Sequence, residues 1–148
     1  MRLVVQRVTR ASVSADGELL GQIERGAVVL AGIGREDTVE VVDQVAEKLL
    51  GLRYFEDDEG RTNRSVTDVE GSLLVVSQFT LYADVRRGRR PGFTDAALPD
   101  QAVPLLDRFV ERLRASGVEV KTGRFGASMA VDLVNDGPFT LVLDSDHR

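Results

Sequence analysis

The sequence predicts an α/β domain in which two helices lie on a largely antiparallel β-sheet. Three observations carry this expectation. The first third is a series of segments rich in β-branched residues and separated by short Gly-containing turns. Two later stretches instead space their apolar residues at the helical period, and further short apolar runs follow each of them.

Taken in order, Leu3 to Val8 and Ala11 to Ala15 read as strands, and Asp16-Gly17 as a hairpin turn. Glu18 to Glu24 returns, Arg25-Gly26 turns again, and Ala27 to Ile33 is an apolar strand expected to be buried on both faces. Asp37, with Glu40 three residues on, predicts a capping box opening a helix whose core face is Val42, Val45, Ala46, Leu49 and Leu50. The second helix is expected to open between Asp100 and Pro104, because proline belongs in a first turn. It would bury Leu105, Leu106, Phe109, Val110 and Leu113 and end before Gly117. Ser72 to Val76, Val118 to Val120, Met129 to Val134 and Thr140 to Leu143 complete the strands. A length of 148 residues suits one domain, residues 1–148, with one core.

Composition removes several classes of function. The absence of cysteine excludes disulfides, thiolate nucleophiles and Cys-based metal sites, and fits a reducing compartment. The apolar run around Ala27 to Ile33 is too short to span a bilayer, so no membrane association is expected and a cytoplasmic location is the default. A net charge of −5 argues against indiscriminate coating of nucleic acid, since phosphate binding needs clustered cations. One local cluster exists, Arg86, Arg87, Arg89 and Arg90 around Gly88, which by itself reads either as a solvated turn or as a phosphate contact.

Site chemistry narrows further. The single histidine, His147, is next to last in the chain, which speaks against a Ser-His-Asp triad or a His-ligated metal. Gly32-Ile33-Gly34 lacks the third glycine of a dinucleotide loop and is followed by the carboxylate of Asp37, so a strand-to-helix turn is expected there. Glu56 to Glu59 before Gly60 lacks the alternating ligands of a calcium loop and reads as an acidic hairpin turn. No metal site and no cofactor are expected.

Two stretches stand apart. Ser77-Gln78-Phe79-Thr80-Leu81 interleaves three hydrogen-bonding side chains with apolar ones where a buried strand ends. It reads as a capped strand end or as a site. Asn135-Asp136-Gly137-Pro138-Phe139-Thr140 reads as a tight turn between two strands, at a Gly-Pro bond of the kind that can be cis. Together and in this order they resemble the Ser-Gln-Phe-Thr-Leu and Asn-x-Gly-Pro-x-Thr motifs of the D-aminoacyl-tRNA deacylases. The likeness extends to Gln6-Arg7-Val8, Asp37-Thr38, Leu52-Arg53, Asn63, Arg90-Pro91 with Phe93, and Gly123 with Phe125-Gly126-Ala127 and Met129. Gly92, Ser128 and Tyr54 depart from the residues common at those positions.

The resemblance implies a barrel-like core and a trans-editing hydrolase that cleaves the ester of D-aminoacyl-tRNA, or of glycine mischarged on tRNA. It implies a homodimer in which a cis Gly137-Pro138 segment enters the partner's active site and excludes L side chains by collision. Thr80 becomes the family's candidate nucleophile, with Ser77, Gln78 and Phe79 beside it. Asn135, Arg7, Phe125 and Met129 become substrate-site residues alongside Gly137 and Pro138. Arg86, Arg87, Arg89 and Arg90 become contacts to the tRNA acceptor end. No histidine or cysteine accompanies Thr80, and an unaided hydroxyl is a weak nucleophile. Oxyanion stabilisation by the Phe79-Thr80 backbone or Gln78, with attack by water or the ribose hydroxyl, is therefore the preferred expectation. The alternatives are a relative with a trans Gly-Pro that tolerates L substrates, and a non-catalytic RNA-binding module.

Overall fold

The computed structural model describes residues 1–147; Arg148 and the side chain of His147 lie outside the described residues, and with them the sequence reading of His147. Eight strands and two α-helices occur in the order β1 (Arg2–Ala15), β2 (Glu18–Ile23), β3 (Gly26–Gly32), α1 (Val39–Gly51), β4 (Phe55–Glu56), β5 (Thr62–Arg64), β6 (Ser72–Ser77), α2 (Pro99–Ala115), β7 (Glu119–Thr122) and β8 (Ala130–Asp144). A 3-10 turn spans Phe79–Tyr82. The sheet order is β2-β1-β3-β6-β7, and β8 lies along β1.

The long first strand organises this sheet. Arg2 to Val8 pairs antiparallel with β3, and Ala11 to Ala15 pairs antiparallel with β2. The Asp16-Gly17 turn between them has positive φ at both residues, as a tight hairpin of this hand requires. β6 joins β3 in parallel and β7 joins β6 in parallel, each after a helix or a long loop. The sheet is thus mixed, antiparallel around β1 and parallel beyond β3. It curls until β2 meets β7: a Cβ added at Gly21 would stand 3.1 Å from the Cβ of Lys121, so a side chain there would crowd the near closure of the barrel.

Alternation along the strands feeds two cores. Leu3, Val5, Val29, Leu73 and Val75 face the helices, where Val42, Val45, Ala46, Leu49, Leu105, Phe109 and Leu113 cover them. Val8, Val13, Val28, Leu74 and Val76 face the barrel interior. β3 is therefore buried on both faces, as its apolar run predicts. The expected helix faces hold as well, with Leu50, Leu106 and Val110 at the edges, partly buried.

Three expectations are corrected. The cap of α1 is Thr38, whose Oγ1 accepts from the Val41 amide at 3.3 Å; Asp37 is committed elsewhere, accepting from the Met1 ammonium and from the Gly34 amide. Helix α2 opens at Pro99, which leaves Pro104 in its second turn. Pro104 is on the exposed side, where water can serve the carbonyl that proline cannot. The strands expected at Met129 to Val134 and Thr140 to Leu143 are halves of the single strand β8, which begins at Ala130, and both halves pair with β1. The intervening residues bulge out of register instead of reversing the chain. The acidic turn at Asp57 to Gly60 closes the β4-β5 hairpin, with the Asp57 carboxylate accepting from the amides of Glu59 and Arg61.

Helices α1 and α2 are also joined by Arg108, which grips Asp43 through two hydrogen bonds of 2.8 Å, with Arg112 nearby at 3.7 Å. The Arg108 hydrogen bond holds the Asp43 carboxyl below its ordinary value of 3.8. A depressed carboxyl adds stability that is present above the ordinary value and lost as pH falls through the lowered one. Thermal melts between about pH 6 and about pH 2 should therefore show a shallower acid decline in Asp43→Asn than in the parent protein.

Tyr54 is buried against Phe55, and its hydroxyl has no hydrogen-bond partner among the described residues. Burial accordingly pushes its ionisation upward. Removing an orphaned hydroxyl relieves a desolvation cost, so Tyr54→Phe should leave the melting temperature unchanged or raise stability by up to about 1 kcal/mol.

Candidate functional site

β6 ends at Ser77, and the chain passes at once into the 3-10 turn. The Gln78 amide donates to the Ala31 carbonyl at 2.8 Å, which fixes the turn to the end of β3. Its far side is held by Arg2, whose Nη1 donates to the Leu81 carbonyl at 2.9 Å and whose guanidinium lies 4.4 Å from the Tyr82 ring centroid. Between these anchors Phe79 and Thr80 face solvent. The side-chain amide of Gln78 donates to Thr80 Oγ1. An amide has no basicity at neutral pH, so this contact orients the hydroxyl without activating it. Leu81 is the first amide of the turn to pair inside it, with the Gln78 carbonyl; those of Phe79 and Thr80 precede it.

Ser77 also lines an open pocket of about 390 Å³ beneath α2, together with Leu106, Val110, Thr122, Gly123 and Phe125. Met129 belongs to the same corner, since its Sδ accepts from the Arg124 amide at 3.4 Å. Ser77 and Phe125 thus line one pocket at the end of β7, and Met129 lies beside it through Arg124. A larger cleft of about 780 Å³ lies between α1 and the C-terminal half of β8 and contains none of the sequence-predicted residues.

The other predicted residues gather at the middle of β8. Between the pairs Gln6–Thr140 and Val8–Asn135 the register shifts, and the extra residues of β8 form the bulge that carries Gly137-Pro138. Their peptide bond is cis. Asn135 staples the bulge, its Nδ2 donating to the carbonyls of Arg7 and Phe139 at 2.9 Å each. Arg7 supports it from below: Nε donates to the Asp136 carbonyl at 3.1 Å, Nη1 donates to the Tyr54 carbonyl at 2.7 Å, and the guanidinium covers the Phe139 ring at 4.6 Å. Arg7 is only 5% exposed, so it acts as a buttress and not as the lining of an open pocket. Gly137 has φ +132, a backbone conformation that favours glycine, and a Cβ there would stand 3.1 Å from Arg7 Nη2 and crowd it. Gly137 and Pro138 themselves are exposed. Among the described residues no hydrogen bond, ion pair or ring contact joins this bulge to the Thr80 turn.

The arginine loop is closed by an antiparallel bridge between Asp84 and Gly92, with bonds of 2.7 and 2.9 Å. Arg86 is spent on this closure: its Nε and Nη2 both donate to Asp84 at 2.9 Å. Those bonds, with one from the Arg86 amide, hold the Asp84 carboxyl far below the ordinary range. Arg87, Arg89 and Arg90 are exposed, and no described ion pair involves them. Sequence reasoning treated the four arginines alike and passed over Arg2 and Asp84. An acidic residue two positions before Arg86 was the available signal for the clasp.

Residues 4–144 match the family described as D-Tyr-tRNA(Tyr) deacylase. The chain belongs to that family. It is 60% identical to the D-aminoacyl-tRNA deacylase of Symbiobacterium thermophilum, over 99% of this chain and 97% of that one. It is likewise 60% identical to the D-aminoacyl-tRNA deacylase of Chlorobaculum parvum, over the full length of both. Among solved structures it superposes on a c-Myc DNA unwinding element binding protein with a TM-score of 0.91 and 44% identity, covering 97% of this chain and 98% of that one. A structure described as a probable eukaryotic D-amino acid tRNA deacylase gives a TM-score of 0.81 at 21% identity, over 96% of this chain and 97% of that one, a likeness of fold. This member of the deacylase family, a family of hydrolases, carries one motif where β6 ends and the other in the bulge at the middle of β8. Among its described residues no helix is long and apolar enough to cross a membrane.

The buttress can be tested directly. Arg7→Met removes the donors to two carbonyls and should cost about 1.5–3 kcal/mol of stability, the range for hydrogen bonds to a charged group. Amide exchange should quicken at Asp136, Gly137 and Phe139 before it does elsewhere, as mass-spectrometric exchange would resolve.

Proposed function

We propose that this chain is a single-domain, cytoplasmic trans-editing enzyme that hydrolyses the ester of D-aminoacyl-tRNA, releasing the free D-amino acid and tRNA. The observation that carries the reading is the Ser77-Gln78-Phe79-Thr80 turn, exposed at the end of β6 and held between Ala31 and Arg2. The aminoacyl group lies against Ser77, Phe125 and Met129, and the carbonyl oxygen meets the amides at Phe79 and Thr80. Water or the neighbouring ribose hydroxyl attacks, since Gln78 offers Thr80 no base.

Chirality is set by collision. Gly137-Pro138 is exposed and stands apart from the Thr80 turn of its own chain, which suits a homodimer where the bulge of one subunit enters the site of the other. Its backbone grips the substrate ammonium through charge-assisted hydrogen bonds and leaves no room for an L side chain. Asn135 and Arg7 hold the bulge in place. A wall against L side chains has nothing to strike in glycine, so glycine mischarged on tRNA is a substrate too. Arg87, Arg89 and Arg90 contact acceptor-end phosphates, while Arg86 keeps their loop closed.

Purified protein given matched D-tyrosyl-tRNA and L-tyrosyl-tRNA with a chelator present should cleave only the D ester; cleavage of both, or of neither, would sink the reading. Glycyl-tRNA should be cleaved, and its resistance would remove the collision model. Thr80→Ala should keep activity within about tenfold, whereas loss of an oxyanion donor costs about 3–4 kcal/mol of barrier stabilisation. Trapping an acyl group on Thr80 would instead establish a covalent route.

A further inference from the structure

Phe79 and Phe93 are both open to solvent, 55% and 38% exposed, although burial of an aromatic ring is strongly favoured. They are paired edge to face, with centroids 5.0 Å apart and planes at 67°. Each is held by its own frame. Phe79 rides on the turn pinned to β3 and Arg2, while Phe93 follows directly on the Asp84–Gly92 bridge and turns back through the bond from the Ala96 amide to its carbonyl. The next residues are tied to the end of β3, where the Ala97 amide donates to the Ile33 carbonyl at 2.9 Å. The two rings therefore form a rigid aromatic step, preorganised at little further entropic cost.

Its surroundings identify the occupant. On one side stands the Gln78–Thr80 pair, and on the other the loop that presents Arg87, Arg89 and Arg90 without a described ion pair, in a chain of net charge −5. A ligand suited to both must present flat π faces and regularly spaced anionic groups on one strand. Unpaired nucleotides have both: bases stack on aromatic rings regardless of sequence, and phosphates take the arginines. An apolar protein segment would leave the three guanidinium groups unmatched.

We propose that Phe79 and Phe93 are a stacking platform for a base of the unpaired 3′ end of tRNA, and that Arg87, Arg89 and Arg90 hold the adjoining phosphates. The proposal rests on the deacylase reading for the identity of the RNA. It extends that reading from the ester to the strand that delivers it. Sequence tolerance follows, because every base has a π face. So does a division of labour, in which the platform contributes affinity that does not vary with salt and the arginine loop contributes affinity that does.

The experiment is equilibrium binding of uncharged tRNA, intact or trimmed of its unpaired 3′ end, to the parent protein, Phe93→Leu and Phe93→Tyr. Loss of one base stack weakens binding by about tenfold to a hundredfold. Phe93→Leu should show that loss on intact tRNA with an unchanged salt slope and none on trimmed tRNA, and Phe93→Tyr should restore binding. Equal affinity of Phe93→Leu and the parent would overturn the platform, as would the same loss on trimmed tRNA. A changed molecular mass in light scattering of Phe93→Leu would also overturn it, assigning the rings to contact with a second copy. If the parent cleaved no D ester yet these differences held, the deacylase reading would fail and the platform would stand.

Discussion

The pairing of the first strand with the last is the constraint on which the rest of this structure depends. β1 and β8 run antiparallel from Arg2 opposite Asp144 to Ser14 opposite Ala130, and the register slips at their centre. Every partner of the sheet except β6 and β7 bonds to β1, so the slip cannot be absorbed by moving β1. The surplus residues must leave the sheet on the β8 side. Arg7, buried where the slip occurs, ties the displaced backbone down through the carbonyls of Asp136 and Tyr54. A buried guanidinium is tolerable because Nε and Nη1 each donate to a carbonyl, the Asp136 carboxylate lies 3.4 Å from Nε and an aromatic face covers it.

The same strand also holds the turn after β6. Arg2 holds the turn after β6 by a hydrogen bond and by its ring contact, while its Nε is engaged by Asp144 at 3.0 Å. One strand thus supports both motif segments through arginines five residues apart in sequence. The segments themselves share no described contact.

Charge is used locally in this acidic chain. Arg108 with Asp43 joins the two helices, and Arg86 with Asp84 closes a surface loop. Exposed pairs of this kind add little stability. Their value lies in geometry, since the clasp at Asp84 leaves Arg87, Arg89 and Arg90 projecting from a fixed base next to the exposed rings of Phe79 and Phe93.

Strands, helices and their buried faces were legible in the sequence because each depends on a short-range period. The alternation in β1, the doubly apolar run of β3 and the faces built on Val42, Val45 and Leu49 or on Leu105, Phe109 and Leu113 all needed only neighbouring residues. The family was legible too, since the two motifs keep their order and spacing. What the sequence could not determine were the allegiances of polar groups to distant partners. Asp37 has the local pattern of a cap but serves the Met1 ammonium, Arg86 looks like its neighbours but belongs to Asp84, and Asn135 to Thr140 has the composition of a turn but lies within a strand. Only the tertiary structure decided these, because a hydrogen bond is assigned to whichever partner the packed chain brings within about 3 Å, and that distance is set by the whole sheet.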